Sequence, residues 1–212
     1  MTPDEWKIVE SILGFLSKAE AELLYNLAGT LDQTIEVGAY CGKSTIAMAL
    51  GVKKHNREPL VSIDHHCGSE EQQLGCPTFK AELYDPAQDS IDTWTAFLRN
   101  LHDAAVVHQV IAYRWASEVA VSRLPDVIAD LVFIDGTHDY PNAWFDSMAW
   151  GRKLQRDGLL ALHDATTHDG PRRVVQYLLG NGLGRRHAQA DSLVVLRIPN
   201  PNLLPDPEKP IA

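Results

Sequence analysis

The segment TIEVGAYCGKST, residues 34–45, contains a strand, a glycine turn and the start of a helix. Its first part, residues 34–38, is short, rich in β-branched side chains and ends at a glycine, which predicts a strand. A helical pattern follows over residues 42–54, and the small residues at its start fit a tight entry into the helix. A strand, a turn and a helix in this order form the unit from which ligand-binding α/β proteins are built.

The spacing of the glycines in this turn argues against two common nucleotide-binding loops. Gly38 and Gly42 form G-x-x-x-G, which does not match the G-x-G-x-x-G of dinucleotide-binding proteins, so a nicotinamide oxidoreductase is disfavoured. The run into Lys43 also lacks the four-residue gap of the phosphate-binding loop G-x-x-x-x-G-K-[ST]. Glu36, at the strand end, would in addition repel a triphosphate.

Alternating strand and helix patterns continue along the chain. Further strands are predicted at residues 60–64, 106–112, 131–135 and 158–163, and helices at residues 91–102, 141–154 and 171–179. This alternation indicates a parallel sheet with helices on both faces. Two last strands, residues 184–189 and 192–198, are separated by a short turn and predict an antiparallel hairpin. We therefore expect an α/β fold with a Rossmann-like, doubly wound, mostly parallel sheet and a C-terminal antiparallel hairpin.

Around this sheet we expect additional regions of the chain. Residues 1–30 form an N-terminal helical cap with a break near Gly14, and residues 31–200 form the main domain. Residues 66–90 show no clear period and follow the second strand, where ligands of open α/β sheets bind, so this insertion is predicted to be a lid. Residues 201–212 form a proline-rich tail.

The composition limits the class of protein. The 212 residues, 45% of them hydrophobic, fit one large globular domain. Nineteen basic against 28 acidic residues give a net charge of −9, which disfavours a nucleic acid as partner. Three cysteines are too few for a disulfide framework and favour a reducing compartment. A signal peptide and an apolar run of about 20 residues are both missing, so we expect a cytoplasmic protein without a membrane partner.

Four motifs at predicted strand ends follow one another in order. They are E-V-G-x-x-x-G-K-S-T at residues 36–45, S-I-D at residues 62–64, F-I-D-G-T-H-D-Y at residues 133–140 and D-G-L-L-A-L-H-D at residues 157–164. Together they resemble the class I S-adenosylmethionine-dependent methyltransferases, and the resemblance covers roughly residues 30–198. The last two motifs are similar to those of the small-molecule O-methyltransferase group related to macrolide-sugar O-methyltransferases and cephalosporin-hydroxylase-like proteins. This resemblance implies S-adenosylmethionine as cofactor and a small hydroxylated acceptor, such as a natural product or a sugar.

The same resemblance implies a set of cofactor-binding residues. They are Glu36, Gly38 and Ala39 at the methionine part, Ser44 and Thr45 at its carboxylate, Asp64 at the ribose, His65 and Ser117 at the adenine, and Asp135 beside the same ligand. The two hydroxyl residues begin a helix, where free N–H groups favour a carboxylate. For Asp64 a second interpretation stays open, namely a strand-terminal aspartate that caps a turn.

Acidic and histidine side chains also follow the predicted fourth and fifth strands, so we expect them to converge. Asp135, His163 and Asp164 supply two carboxylates and an imidazole, which suits a divalent cation such as Mg²⁺. Such an ion could hold two substrate oxygens and lower the pKa of the hydroxyl that is methylated. His138 is the predicted general base, and Tyr140 is a predicted substrate contact.

Several alternatives remain open at this point. His163 stands where metal-dependent relatives carry Asp or Glu, which leaves room for a softer metal or for a role in orienting Asp164. A metal-dependent hydroxylase-like protein and a non-catalytic S-adenosylmethionine-binding module are the alternative functions. A zinc site is disfavoured, because the spacing of its candidate ligands is irregular; these are His65, His66, Cys67 and Cys76. Apolar side chains of the N-terminal helices could also pack against a second subunit of a homo-oligomer; these are Trp6, Ile12, Phe15 and Leu16.

Overall fold

The computed structural model describes residues 1–124 and 128–210, and within these ranges the chain forms seven α-helices and nine strands. The helices are α1 (Pro3–Ser11), α2 (Lys18–Thr30), α3 (Lys43–His55), α4 (Trp94–Asp103), α5 (Ser117–Arg123), α6 (Tyr140–Gly151) and α7 (Asp169–Gly180). The strands are β1 (Thr34–Val37), β2 (Leu60–Ile63), β3 (Tyr84–Asp85), β4 (Ser90–Ile91), β5 (Val110–Tyr113), β6 (Ala129–Ile134), β7 (Leu154–Leu162), β8 (Arg185–Ala190) and β9 (Leu193–Ile198).

Seven strands form one sheet in the order β5-β2-β1-β6-β7-β9-β8. The first five of these strands are parallel to one another. Strand β9 is antiparallel to both β7 and β8. The predicted fold class, with its C-terminal hairpin, is confirmed. The order reverses at β1, which pairs with β2 on one side and with β6 on the other. In such sheets the crevice outside the carboxyl ends of the strands at this reversal is where ligands bind.

Both faces of the central strands are buried, as expected for parallel strands between two layers of helices. Along β6, Leu131 and Phe133 pack into the core on one face, together with α2 and α3. Val132 and Ile134 alternate with them and pack into the core on the other face, together with α6 and α7. This burial fixes the register of the strands, and therefore the positions of the polar residues that follow them.

The N-terminal helices are part of the first core layer. Helix α2 crosses α3 so closely that a Cβ added at Gly51 would lie 2.2 Å from the carbonyl oxygen of Tyr25. Of the four side chains suggested as a contact with a second subunit, Leu16 is buried and two pack against the same core; these are Trp6 and Ile12. Phe15 remains 66% exposed. The homo-oligomer stays a prediction.

Three segments differ from the sequence-based expectation. The strand predicted at residues 106–112 begins only at Val110, after a 3₁₀ turn over Val107–Gln109. The helix predicted to reach residue 154 ends at Gly151, since Leu154 already pairs with Ala129 in β7. Helix α5 was not predicted, because seven residues are too short to show a period.

The insertion at residues 66–90 has some regular structure. It contains two 3₁₀ turns and the two-stranded antiparallel β3–β4 pair. Among the helices in the described ranges, none is long and apolar enough to cross a membrane.

Candidate active site

A cavity of about 570 Å³ opens beyond the carboxyl ends of β1, β2, β6 and β7. Its size falls within the range of small-molecule sites, roughly 300–1,000 Å³. Most of the predicted site residues line it; these are Gly38, Ala39, Ser44, Asp64, His65, Ser117, Asp135, His138, His163 and Asp164. Residues 13–16, between α1 and α2, and part of the insertion complete the wall.

The glycine turn after β1 packs tightly against the end of β6. Gly38 has a φ of +90°, and a Cβ added there would lie 2.2 Å from the carbonyl oxygen of Asp135. Asp64 holds the turn from the other side, because its Oδ2 accepts the N–H groups of Ala39 and Tyr40, each at 2.8 Å. Asp64 thus caps the turn, which was the second interpretation of this residue, and it also lines the cavity.

Glu36 lies behind the wall of the cavity. It is 0% exposed, and its carboxyl group accepts hydrogen bonds from Ser44 (2.6 Å), Thr45 (2.5 Å) and Ser62 (2.8 Å). Burial raises the pKa of Glu36 to about 7, although the three hydroxyl donors act in the opposite direction. Neither Glu36 nor Thr45, both predicted to contact the cofactor, lines the cavity. Glu36 instead ties β1, β2 and the start of α3 together.

Ser117, predicted at the adenine, belongs to a buried polar group at the start of α5. It donates a hydrogen bond to Asp146 and accepts one from Nε1 of Trp150 at 2.8 Å. Burial raises the pKa of Asp146 to about 7, against the effect of the Ser117 hydroxyl. Both partners come from α6, so this helix fixes the orientation of the Ser117 hydroxyl at the cavity wall.

His163, 5% exposed, lies between three carboxylates. Its Nδ1 is 3.0 Å from Oδ1 of Asp135 and 3.1 Å from Oδ2 of Asp164. Its Nε2 is 3.3 Å from Oε2 of Glu20, which comes from α2. The approach angles give neither ring nitrogen a hydrogen bond, so these contacts are ionic. The predicted triad is thus brought together, with Glu20 as a fourth member that the sequence did not reveal.

The three carboxylates set the charge of this imidazole. Burial disfavours the charged ring, but the negative charges of Asp135, Asp164 and Glu20 outweigh it and raise the pKa of His163 above its usual range. Burial also acts to raise the pKa of Glu20, yet the adjacent charged ring of His163 and donation from Ser192 and Ser17 lower it to about 2. The cluster is therefore built around ionised groups.

His138 also lies between two carboxylates. Its Nε2 is 3.2 Å from Oδ2 of Asp164, and its Nδ1 is 3.1 Å from Oε2 of Glu71 in the insertion. Its ring stacks on His168, with centroids 4.0 Å apart and planes inclined by 21°. Hydrogen bonding to Asp164 raises the pKa of His138, burial opposes this, and Glu71 adds to the rise. Asp164 is thus shared by His138 and His163.

Tyr140 does not line the cavity, contrary to the prediction of a substrate contact. The guanidinium group of Arg173 lies over its ring, 3.7 Å from the ring centroid. The centroids of the Tyr140 and Trp144 rings are 5.9 Å apart. Tyr140 begins α6, and the helix directs its side chain toward α7.

Among the described residues, two groups of ligating side chains are close enough to share one ion. They are Asp135, His163 and Asp164, and His138, Asp164 and His168, with ligand atoms within 4.8 Å of one another. Neither group contains a cysteine. The candidate zinc residue His66 instead lies 2.7 Å from the hydroxyl of Thr93.

Sequence reasoning missed four polar residues of the site; these are Glu20, Glu71, Asp146 and His168. For Glu20 the sequence carries a local signal, because Ser17 and Glu20 have the spacing of a helix capping box. That signal predicts a helix start and not a contact with His163. For Glu71, in the irregular insertion, we find no signal in the sequence.

Comparisons with known proteins agree with this fold. Residues 35–165 match the family of the methyltransferase domain. The O-methyltransferase TomG from Streptomyces achromogenes, involved in tomaymycin synthesis and solved with SAM, is similar with a TM-score of 0.61 and 14% identity over 94% of this chain and 91% of that chain. The O-methyltransferase from Bacillus cereus in complex with SAH has a TM-score of 0.60 and 12% identity, over 92% and 89% of the chains.

A third similar structure is the SAH-bound methyltransferase PaMTH1 from Podospora anserina, with a TM-score of 0.60 and 12% identity over 92% of this chain and 86% of that chain. At these identities the solved structures establish the fold, while the match over residues 35–165, more than half of the chain, establishes the family. The prediction of a class I S-adenosylmethionine-dependent methyltransferase is confirmed, and the chain belongs to the methyltransferase domain family.

Proposed function

We propose that the protein is an O-methyltransferase that transfers the methyl group of S-adenosylmethionine to a small hydroxylated molecule. A divalent cation is held by Asp135, His163 and Asp164, and His138 is the general base. The observation that carries this proposal is the position of Asp164, which contacts both histidines at the wall of one cavity. A cation group and a base are therefore adjacent beside the glycine turn.

The cavity offers the cofactor a negatively charged wall. Asp64, Glu118 and Asp135 line it, and such groups favour a ligand with a positively charged sulfonium. The turn at Gly38 packs directly on the backbone of Asp135, so the ends of β1 and β6 form one continuous part of the cavity wall. Three similar structures carry SAM or SAH, which supports the same ligand here.

The donor set fits a divalent cation. His163 is nearly buried, and its Nδ1 faces two carboxylates without a hydrogen bond, so a cation that displaces the Nδ1 proton would meet one nitrogen and two oxygens there. Carboxylates suit Mg²⁺ and Mn²⁺, and an imidazole is compatible with a transition metal. Bound there, the ion would hold the oxygens of the acceptor and lower the pKa of its hydroxyl group.

His138 is placed to take the proton of that hydroxyl. S-adenosylmethionine would supply a methyl group on a sulfonium, whose sulfur would leave with the electron pair of the C–S bond. Nε2 of His138 would take the proton that the acceptor hydroxyl loses as its oxygen bonds to this methyl. Glu71 at Nδ1 holds the ring in the orientation that directs Nε2 toward Asp164. A neutral imidazole with a pKa near the working pH is suited to this task.

The alternative functions have less support. A hydroxylase would need two histidines and one carboxylate on one iron, and His138, Asp164 and His168 are the matching group. The rings of His138 and His168 are stacked 4.0 Å apart with planes inclined by only 21°, so an ion bound by both would lie out of the plane of at least one ring. A module that only binds the cofactor would need neither the cation group nor His138.

Calorimetry with S-adenosylmethionine tests the cofactor. We expect binding to the wild-type protein and loss of most of it in Asp64→Ala, because Asp64 both lines the cavity and holds the turn. Asp103→Ala, an exposed carboxylate on α4, is the control and should bind normally. Binding of NAD without binding of S-adenosylmethionine would overturn the proposal.

Turnover on an identified acceptor tests the base and the cation separately. His138→Gln is expected to lose about 10²–10⁴-fold in kcat with unchanged affinity for S-adenosylmethionine, while the exposed His102→Gln keeps full activity. A chelator should abolish turnover, and Mg²⁺ or Mn²⁺ should restore it. Turnover that persists in chelator would refute the cation and leave the methyltransferase intact.

A further inference from the structure

We propose that Glu20 is the positioning residue of the cation site. Its carboxylate would keep the proton of His163 on Nε2, so that Nδ1 of the same ring is presented to the cation beside Asp135 and Asp164. This inference rests on the cation of the proposed function. Through Glu20, helix α2 would contribute to the cation site, although it lies outside the methyltransferase motifs in the sequence.

Glu20 is held in place by groups from two parts of the chain. It is 2% exposed. Its Oε1 accepts hydrogen bonds from the N–H (3.0 Å) and the hydroxyl (2.6 Å) of Ser192, which precedes β9. Its Oε2 accepts the N–H of Ser17 at 2.8 Å and lies 3.3 Å from Nε2 of His163. The carboxylate therefore has one fixed orientation, and His163 is on its open side.

The helix cap alone does not explain this arrangement. Helix α1 has the same capping box, in which the carboxylate of Glu5 accepts the N–H of Thr2 at 2.6 Å. Glu5 is partly exposed and contacts the hydroxyl of Tyr25. Both glutamates cap a helix equally well, but Glu20 alone of the two is buried against a histidine of the cavity. Its burial needs a second reason.

The burial of Glu20 against His163 is explained by the different roles of the two imidazole nitrogens. A histidine that binds a cation through Nδ1 must carry its proton on Nε2, and this N–H needs an acceptor in a buried site. Glu20 is the carboxylate at that nitrogen, within ion-pair distance. A small rotation of the ring would align the N–H with Oε2. Carboxylates in this position fix the tautomer of the ligand and make it a better donor to the metal.

Binding of Mn²⁺ to the purified full-length protein tests the inference, followed by electron paramagnetic resonance. Glu20→Gln removes the charge but keeps a side chain that caps a helix, and we expect its affinity for Mn²⁺ to fall about 10–100-fold. Glu5→Gln makes the same change in the other capping box and should bind Mn²⁺ like the wild type. Affinity for S-adenosylmethionine, measured by calorimetry, should be unchanged in both variants.

A second variant covers the case in which Glu20→Gln does not fold. Ser192→Ala removes one donor to Oε1 and leaves the charge of Glu20, so we expect a severalfold loss of Mn²⁺ affinity. Equal Mn²⁺ affinity in the wild type, Glu20→Gln and Ser192→Ala would overturn the role of Glu20 while the cation site stands. A wild-type protein that binds neither Mn²⁺ nor Mg²⁺ would overturn the cation, and the role of Glu20 with it.

Discussion

Glu20 and Glu36 are two buried glutamates beside the same cavity, and their pKa values are shifted in opposite directions. They are 2% and 0% exposed, and each accepts three hydrogen bonds. Yet the pKa of Glu20 falls to about 2, whereas burial raises that of Glu36 to about 7. Glu36 lies deeper and has only hydroxyl donors, while Glu20 faces His163. The deeper burial of Glu36 therefore raises its pKa, whereas contact with His163 and donation from Ser192 and Ser17 lower that of Glu20.

The two glutamates have different roles around the cavity. On the side of the glycine turn, Glu36 holds elements together as a buried hydrogen-bond acceptor with a raised pKa. On the side of β7, Glu20 supplies a charge to a histidine of the proposed cation site. Changes at these two residues should therefore affect stability in different ways.

The largest effect is expected for Glu20→Ala. The change leaves the buried His163 without one of its three carboxylates and also removes the side-chain half of the capping box of α2, in which Glu20 accepts the N–H of Ser17. Breaking a buried pair by removing one partner costs about 3–5 kcal/mol of the free energy of unfolding. Urea unfolding at pH 7 measures this, with Glu22→Ala, an exposed glutamate of the same helix, as control. A loss below about 1 kcal/mol would show that His163 does not depend on Glu20.

Glu36→Gln is expected to act through pH. Because the pKa of Glu36 is about 7 in the folded protein against an ordinary value of 4.5, the folded chain binds the proton more tightly than the unfolded chain. The stability of the wild type then falls as pH rises from 4.5 to 7, by about 3 kcal/mol from this residue. Glu36→Gln removes this component, so the variant should gain stability relative to the wild type over that interval.

Unfolding curves at pH 5 and pH 8 are the measurement, with Asp103→Asn as a control at an exposed position. A difference between variant and wild type that does not change with pH would mean that Glu36 is ionised throughout, like Glu20. The pKa of Glu36 would then not be raised by its burial.

The sequence predicts one of these two environments much better than the other. Glu36, Asp135, His163 and Asp164 stand at or next to the carboxyl ends of parallel strands, and such ends meet at one edge of a sheet. Their convergence follows from the strand pattern alone. The contact of Glu20 with His163 depends on how α2 packs on the sheet, and a capping pattern carries no information about that packing.

The insertion shows the same limit. Its residues have no period, so the sequence places Glu71 only in a loop of uncertain course, whereas the structure puts it against His138. Tyr140 shows the converse, because its proximity to His138 in sequence suggested a place in the cavity. The start of α6 directs it toward Arg173 instead. Proximity along the chain is a weak guide once a helix begins.

The smallest effect is expected for Glu71→Gln. Glu71 contacts His138 much as Glu20 contacts His163, but its side chain is 56% exposed. Exposed ion pairs contribute less than about 1 kcal/mol and are screened by salt, so the free energy of unfolding should hardly change. The pKa of His138, which Glu71 helps to raise, should fall. Since the base works in its neutral form, the acid limb of the kcat/KM profile should move to lower pH.

The neighbouring Glu70→Gln serves as the control for this shift, since its carboxylate is on the same turn and does not contact His138. The displacement of the acid limb should also shrink in high salt, where the exposed pair is screened. A profile that does not move in Glu71→Gln would mean that Asp164 alone sets the protonation of His138. A large loss of stability would mean that the insertion is fixed by this pair as firmly as α2 is fixed by Glu20.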